Sequence, residues 1–248
     1  MNNKTIVITA TELKNNLGKY LDYAAEDHEV IISKNGKNAV RLTSYAEEIE
    51  SNTTRESSAD YKHRGKKLSY EEFLEMCEQR DSRMEYLNGE IVLLSSPNTV
   101  HQVISGNLYL HLRSYLSGKE CSVFYVPLDV HLYKKNVTTP DVLQPDLLIA
   151  CDMEEAVNDL GRYMVTPVLC IEILSKYTRS RDMVDKLNTY MLSGVQEYWI
   201  VDPDKHTVIV YSFADYDIRE FTVYKSGETL RSFLFDDLQI EIKQIFEG

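Results

Sequence analysis

Two carboxylates and one lysine in the second half of the chain have the types and spacing to bind a divalent cation and act on a phosphate ester. Asp146 follows Pro145 within the apolar run from Leu143 to Ala150, and Glu172 interrupts a second apolar run from Val168 to Leu174. Short apolar runs bounded by turn formers read as buried strands. In the second run both parities are apolar: Val168, Cys170 and Leu174 share the Glu172 face, and Leu169, Ile171 and Ile173 lie on the other. Such a strand is central to a sheet covered on both faces. An ionised carboxylate there persists only if it is paired with a cation, hydrogen-bonded or bound to a metal. A positive group is therefore expected beside Glu172.

The next segment offers one. From Arg179 to Ser193 the residues Met183, Leu187, Tyr190 and Met191 recur at helical spacing, and Gly194 supplies a C-terminal stop. Asp182, Lys186 and Tyr190 fall at i, i+4 and i+8, in one row beside the apolar stripe. Hard cations such as Mg²⁺, with Mn²⁺ as a substitute, bind through one or two carboxylates plus phosphate oxygens and can generate an attacking hydroxide. A nearby ammonium would stabilise charge developing on the phosphate. The same residues also fit a buried Glu–Lys pair and a Pro-Asp turn with no chemistry, since structural ion-pair networks perturb acids too.

The ordered set QPDLLI, IEILS and TRSRDMVDKLNTYMLSGVQEYWIVDP, preceded by MEYLNGEIVLLSSPNTVHQ, resembles the Uma-type family of restriction-endonuclease-like proteins over about residues 66 to 246. That family is similar to the PD-(D/E)xK nucleases. The resemblance implies phosphodiester cleavage with Mg²⁺, with Asp146 as the PD acid, Glu172 as the second-motif acid and both as metal ligands. Leu174 stands where ordinary members of the superfamily carry lysine, and the family pattern moves that role to Lys186. The sequence SKYTR also departs from the usual SPSTR around Lys176 and Tyr177.

Composition sets limits on the rest. The 248 residues carry a net charge of -12, which opposes non-specific attraction to nucleic acid, so any DNA contact must come from a local basic patch. Cys77, Cys121, Cys151 and Cys170 are scattered without metal-ligand spacing, which suggests a reducing cytoplasm and no disulfide framework. No signal-like segment or membrane-spanning apolar run is present, so a cytoplasmic protein without membrane contact is expected.

The first 48 residues read as a separate unit, followed by a linker over 49–65 and a second domain over 66–248. Thr5 to Thr9 reads as a strand, and Thr9 with Glu12 forms a capping box. It opens a helix with Leu13, Leu17, Tyr20, Leu21 and Ala24 on one face. Residues 30–33 and 38–42 flank Asn35-Gly36, a hairpin signal. So small a unit gains from pairing. The run from Ile8 to Tyr45 resembles the Phd/YefM antitoxins. This implies a homodimer that contacts operator DNA through Lys14, Asn15, Asn16 and Lys19, and raises the question of a toxin partner. A solvated helix face that merely dimerises is the alternative, and it fits Lys14 taken alone equally. The polar run 46–65 has the composition of a linker.

In the second domain, residues 68–80 read as an amphipathic helix with Phe73, Leu74 and Cys77 together. Residues 84–95 read as a hairpin through Asn88-Gly89, with Glu85 beside it as a candidate third carboxylate or a solvated hairpin acid. Residues 97–115 read as a helix carrying Val100, Ile104, Leu108, Leu112 and Tyr115, with His101 in its first turn as a phosphate-binding candidate or a surface residue. Residues 122–133 read as one strand whose Asp129 could face the Asp146 strand. Strands at 197–203 and beyond complete the pattern. The fold class is α+β or α/β, a restriction-endonuclease-like mixed sheet flanked by helices behind a small Phd/YefM-like α+β domain. The acidic cluster from Asp152 to Asp159 lacks calcium-loop spacing. Two functions follow: a metal-dependent DNA endonuclease with a dimerising, DNA-targeting arm, or a DNA-binding regulator whose nuclease-like domain is catalytically silent.

Overall fold

The computed structural model describes residues 5–26, 28–34, 37–42, 67–79, 83–151, 163, 165–175 and 178–247. The linker region, the Asp152 to Asp159 cluster, the Asn35-Gly36 turn and the turn at Lys176 and Tyr177 lie outside them. The chain divides into two compact units, Met1–Asp60 and Tyr61–Gly248.

In the first unit, β1 (Thr5–Thr9) pairs in parallel with β2 (Glu29–Lys34), which pairs antiparallel with β3 (Lys37–Leu42). Thr9 caps the helix as expected, its hydroxyl accepting from Glu12 N–H at 3.1 Å, but the Glu12 carboxylate accepts from the Tyr20 hydroxyl at 2.6 Å. The single helix expected here is two, α1 (Ala10–Asn15) and α2 (Leu17–Ala25), parted at Asn16 with φ -135° and ψ 37°. That break rotates the expected apolar stripe. Tyr20 and Ala24 enter the core with Ile8, Val30 and Ile32, while Leu17 and Leu21 stay about half exposed.

The second unit is built on a six-stranded sheet ordered β13-β12-β11-β10-β9-β6. Its strands are β6 (Ser122–Tyr125), β9 (Leu147–Ala150), β10 (Leu169–Ile173), β11 (Glu197–Asp202), β12 (Thr207–Ala214) and β13 (Asp217–Lys225). Only β10 and β11 run parallel; the other neighbours are antiparallel. The alternation of β10 is as expected. Leu169, Ile171 and Ile173 pack on one face against Ile104, Leu108 and Leu112 of helix α4 (Thr99–Tyr115). On that side also lie the ribbon of β14 (Thr229–Arg231) and β15 (Gln239–Glu241) and helix α6 (Ile242–Phe246). Cys170 and Leu174 pack on the other face with Tyr190 and Tyr198.

That second face meets a four-stranded antiparallel sheet, ordered β5-β4-β8-β7. Its strands are β4 (Met84–Leu87), β5 (Glu90–Leu93), β7 (Val130–Leu132) and β8 (Asp141–Leu143). The single strand expected over 122–133 is thus divided between two sheets. Pro127, which follows a cis peptide bond, offers no N–H to a ladder, so pairing stops at Tyr125 and resumes at Val130. Helix α3 (Tyr70–Gln79) covers this sheet through Phe73 and is held by a reciprocal capping box between Ser69 and Glu72.

The expectation that the cysteines form no disulfide is overturned. Cys121 and Cys151 form a disulfide, their Cα atoms 4.1 Å apart. The β6–β9 register pairs Ser122 with Ala150, so the next positions out along the ladder are these two cysteines, a proximity that their spacing of 30 residues does not reveal. No described helix is long and apolar enough to cross a membrane.

Candidate active site

β9 and β10 bring the two acids together. Their register pairs Ile171 with Leu147, and one step further places Glu172 opposite Asp146. Asp146 itself stands at the bend just before β9, one residue beyond the last ladder pair, so its side chain is not confined to the Glu172 face. Asp146 is also tied to the partner strand, since its Oδ2 accepts from Ile173 N–H at 2.8 Å. The same oxygen lies 3.0 Å from Nε2 of His101, in the first turn of α4, where Asn98 caps the helix by accepting from His101 N–H. His101 is thus largely covered and bonded to a candidate acid, rather than a free surface residue.

Glu172 meets its expected cation. Lys186 Nζ lies 2.9 Å from Glu172 Oε1, and the Tyr190 hydroxyl donates to that same oxygen at 2.6 Å. The segment that carries Lys186 is not the uninterrupted α-helix expected. Arg181–Lys186 is wound as a π-helix and α5 (Leu187–Leu192) continues from it. Such wide turns recur at functional sites. The row Asp182, Lys186 and Tyr190 nevertheless faces inward, all three side chains buried, while Met183 lies outside the core. Two anchors set the segment. Arg179 grips Asp202 at the end of β11 through its two terminal guanidinium nitrogens, at 2.6 and 3.0 Å, and the Tyr198 hydroxyl donates to the Asp182 carbonyl at 3.0 Å. Gly194, at φ 88°, ends the helix as expected.

Glu85 on β4 completes the cluster from the other sheet. It is fully buried instead of being a solvated hairpin acid, and its Oε1 accepts from Lys186 Nζ at 2.8 Å and from Gln144 N–H at 2.9 Å. Asp182 Oδ1 stands 3.7 Å from the same ammonium. One lysine therefore faces three buried carboxylates. Burial pushes the Glu172 carboxyl well above the ordinary range; Lys186 opposes that, while Asp182, Asp146 and Glu85 add to it. Burial likewise raises Asp182. For Lys186 burial works downward, but Glu172, Glu85 and Asp182 together outweigh it and hold the ammonium well above its usual value.

Asp129 sits one residue before β7 and accepts from the Gln144 side chain at 2.8 Å, which Arg83 also binds at 2.9 Å. It supports the segment leading to Asp146 without joining the Lys186 cluster. Leu174, at the usual lysine position, is 5% exposed and packs into the apolar layer, so the ammonium reaches Glu172 from the helix instead. Sequence reasoning placed Asp182 and Tyr190 in the right helical row but gave them no part, and it passed over Gln144. The shared row was the available signal.

In the first unit Lys14, Asn15, Asn16 and Lys19 are all exposed, at the end of α1 and the start of α2. This is compatible with either contact or solvation.

The sequence model of the Uma2 family, described as "Putative restriction endonuclease", matches residues 70–243. The chain belongs to this family. Uma2 membership covers the two sheets and every residue of the Asp146, Glu172 and Lys186 cluster. A second model, "Antitoxin Phd_YefM, type II toxin-antitoxin system", matches residues 5–85 and overlaps the Uma2 match from Tyr70 to Glu85. The chain is similar to an uncharacterized protein of Synechocystis, 27% identical over 146 residues, covering 58% of this chain and 74% of that one. A solved structure described as a "putative nuclease belonging to DUF820" from Anabaena variabilis superimposes with a TM-score of 0.60 at 22% identity, over 72% of this chain and 97% of the other. That likeness shows the fold that the two chains share.

Proposed function

We propose that the second unit is a divalent-metal-dependent endonuclease cleaving phosphodiester bonds in DNA, and that the first unit pairs two chains and brings them to DNA. The observation that supports this best is the convergence of two acids from neighbouring strands beside an ammonium, in a family described as "Putative restriction endonuclease". The donor set fits Mg²⁺ or Mn²⁺. Acids outnumber the cation, and Glu85 Oε2 and Asp182 Oδ1 are buried oxygens without a hydrogen bond. Among the described residues no three His, Cys, Asp or Glu side chains group closely enough to enclose an ion. Mg²⁺ takes one or two carboxylates and fills its other positions with water and phosphate.

In this reading Asp146 and Glu172 hold the ion, which when bound supplies an activated water and neutralises phosphate charge. Lys186 holds Glu172 in place and contributes positive potential to the site. The low-dielectric layer of Leu174, Tyr190 and Tyr198 behind Glu172 strengthens each of these interactions. The test is nicking of supercoiled plasmid by the purified chain with Mg²⁺ or Mn²⁺. Cleavage is expected in wild type and near-abolished in Asp146→Ala and Glu172→Ala. Cleavage without added metal, or undiminished in both variants, would remove the proposal.

One observation favours the other reading, a DNA-binding regulator with a silent nuclease-fold module. Lys186 Nζ is engaged by Glu85 and Glu172 at once, a closed network that could serve stability alone. A chain that shifts promoter DNA in a gel and never cuts it would fit that reading.

A further inference from the structure

The two acids are held in the same way, although their surroundings differ. Asp146 receives both of its bonds, from Ile173 N–H and His101 Nε2, on Oδ2. Glu172 receives both of its bonds, from Lys186 Nζ and the Tyr190 hydroxyl, on Oε1. No described residue donates to Asp146 Oδ1 or Glu172 Oε2. A carboxylate with one oxygen doubly held cannot rotate that oxygen away without losing two bonds, so the other oxygen is presented in a fixed direction. The side chains keep 15% and 5% exposure, so the pair is not sealed from solvent.

We infer that His101 and Tyr190 are positioning residues that set Asp146 and Glu172 to ligate a divalent ion through one oxygen each, Oδ1 and Oε2. The inference rests on the metal reading above. The surroundings of Tyr190 suit such a role. The side chain is fully buried, its ring lies 4.9 Å from that of Tyr198, and its hydroxyl has Glu172 as acceptor. His101 reaches Asp146 from α4, on the opposite side of the sheet from Tyr190, so the two acids are braced from both layers. An ionised Asp146 fixes the imidazole proton on Nε2; the buried Nδ1 has no partner among the described residues.

Removing an outer partner of a metal-binding carboxylate typically weakens the metal by about 10- to 100-fold. The experiment titrates Mn²⁺ into the full chain and follows free Mn²⁺ by electron paramagnetic resonance, with no DNA present. Tyr190→Phe and His101→Leu are each expected to weaken Mn²⁺ by that factor, and Asp146→Ala and Glu172→Ala to abolish specific binding. His101→Gln, which retains a donor, is expected to stay closer to wild type than His101→Leu. Unchanged affinity in Tyr190→Phe and His101→Leu, with wild type binding Mn²⁺, overturns the positioning roles and leaves the metal reading standing. Wild type without a specific site overturns both. If Tyr190→Phe does not fold, judged by emission from the buried Trp199, the His101 pair decides alone, and equal weakening in Gln and Leu overturns the hydrogen-bond argument.

Discussion

Replacing Lys186 by methionine removes the one ammonium that, among the described residues, faces Glu85, Glu172 and Asp182, while retaining most of the side-chain volume. Lys186 makes contacts of 2.8 and 2.9 Å with two of those acids and is 4% exposed, so water does not take its place. Taking one partner from a buried ion pair costs about 3–5 kcal/mol. The acids limit the loss by taking up protons, which makes it depend on pH. Glu172 and Asp182 already have folded pKa values raised by burial, so between the ordinary carboxylate range and those raised values the folded state binds more protons than the unfolded one. Stability associated with them is fully present below roughly pH 4 and declines as pH rises. Loss of Lys186 raises both acids further, so the variant's deficit should be smaller at pH 4.5 than at pH 7.5. The assay is urea unfolding followed by Trp199, the sole tryptophan, buried in β11 and so specific to the second unit. Adding Glu172→Gln to Lys186→Met should restore about 1–3 kcal/mol, the usual coupling for residues in one network. A deficit under about 1 kcal/mol at pH 7.5, or one of the same size at both pH values, would refute the view that this lysine neutralises the cluster.

Arg179→Ala breaks the two-point grip on Asp202 and is expected to cost about 1–3 kcal/mol in the same assay. The Arg179 hydrogen bond is the main cause of the lowered Asp202 pKa, so the wild-type advantage should be present above the usual aspartate range and fade as pH falls through the folded value. Leu174→Lys in a Lys186→Ala background places an ammonium on the Glu172 face of β10; partial recovery of plasmid cleavage is expected, and none would show that the buried Leu174 position no longer reaches the acids. Lys14→Ala should weaken binding of the chain to its own promoter region across sequences and lower the salt slope by about one ion, whereas an unchanged slope in gel-shift titrations would count against a phosphate contact there.

Local signals carried much of this protein. The all-apolar parity of β10 already required a buried strand and a cation for Glu172, because neither depends on distant partners. Gly194 closed its helix and Thr9 capped another for the same reason: backbone conformation and adjacent N–H groups settle both. The row of Asp182, Lys186 and Tyr190 followed from helical spacing, even though its first turn is wound as a π-helix. What tertiary structure decided were pairings without a local signature. Glu85 lies 101 residues from Lys186 in sequence, and a hairpin acid is indistinguishable from a solvated one until a second sheet closes over it. The Cys121–Cys151 bond depends on the β6–β9 register, and the division of residues 122–133 on which sheet accepts each half. Leu17 and Leu21 were left outside the core by one broken turn at Asn16. Periodicity fixes which faces are apolar and where elements end; only packing decides which charged groups must share the interior, since that energy belongs to pairs brought together from distant parts of the chain.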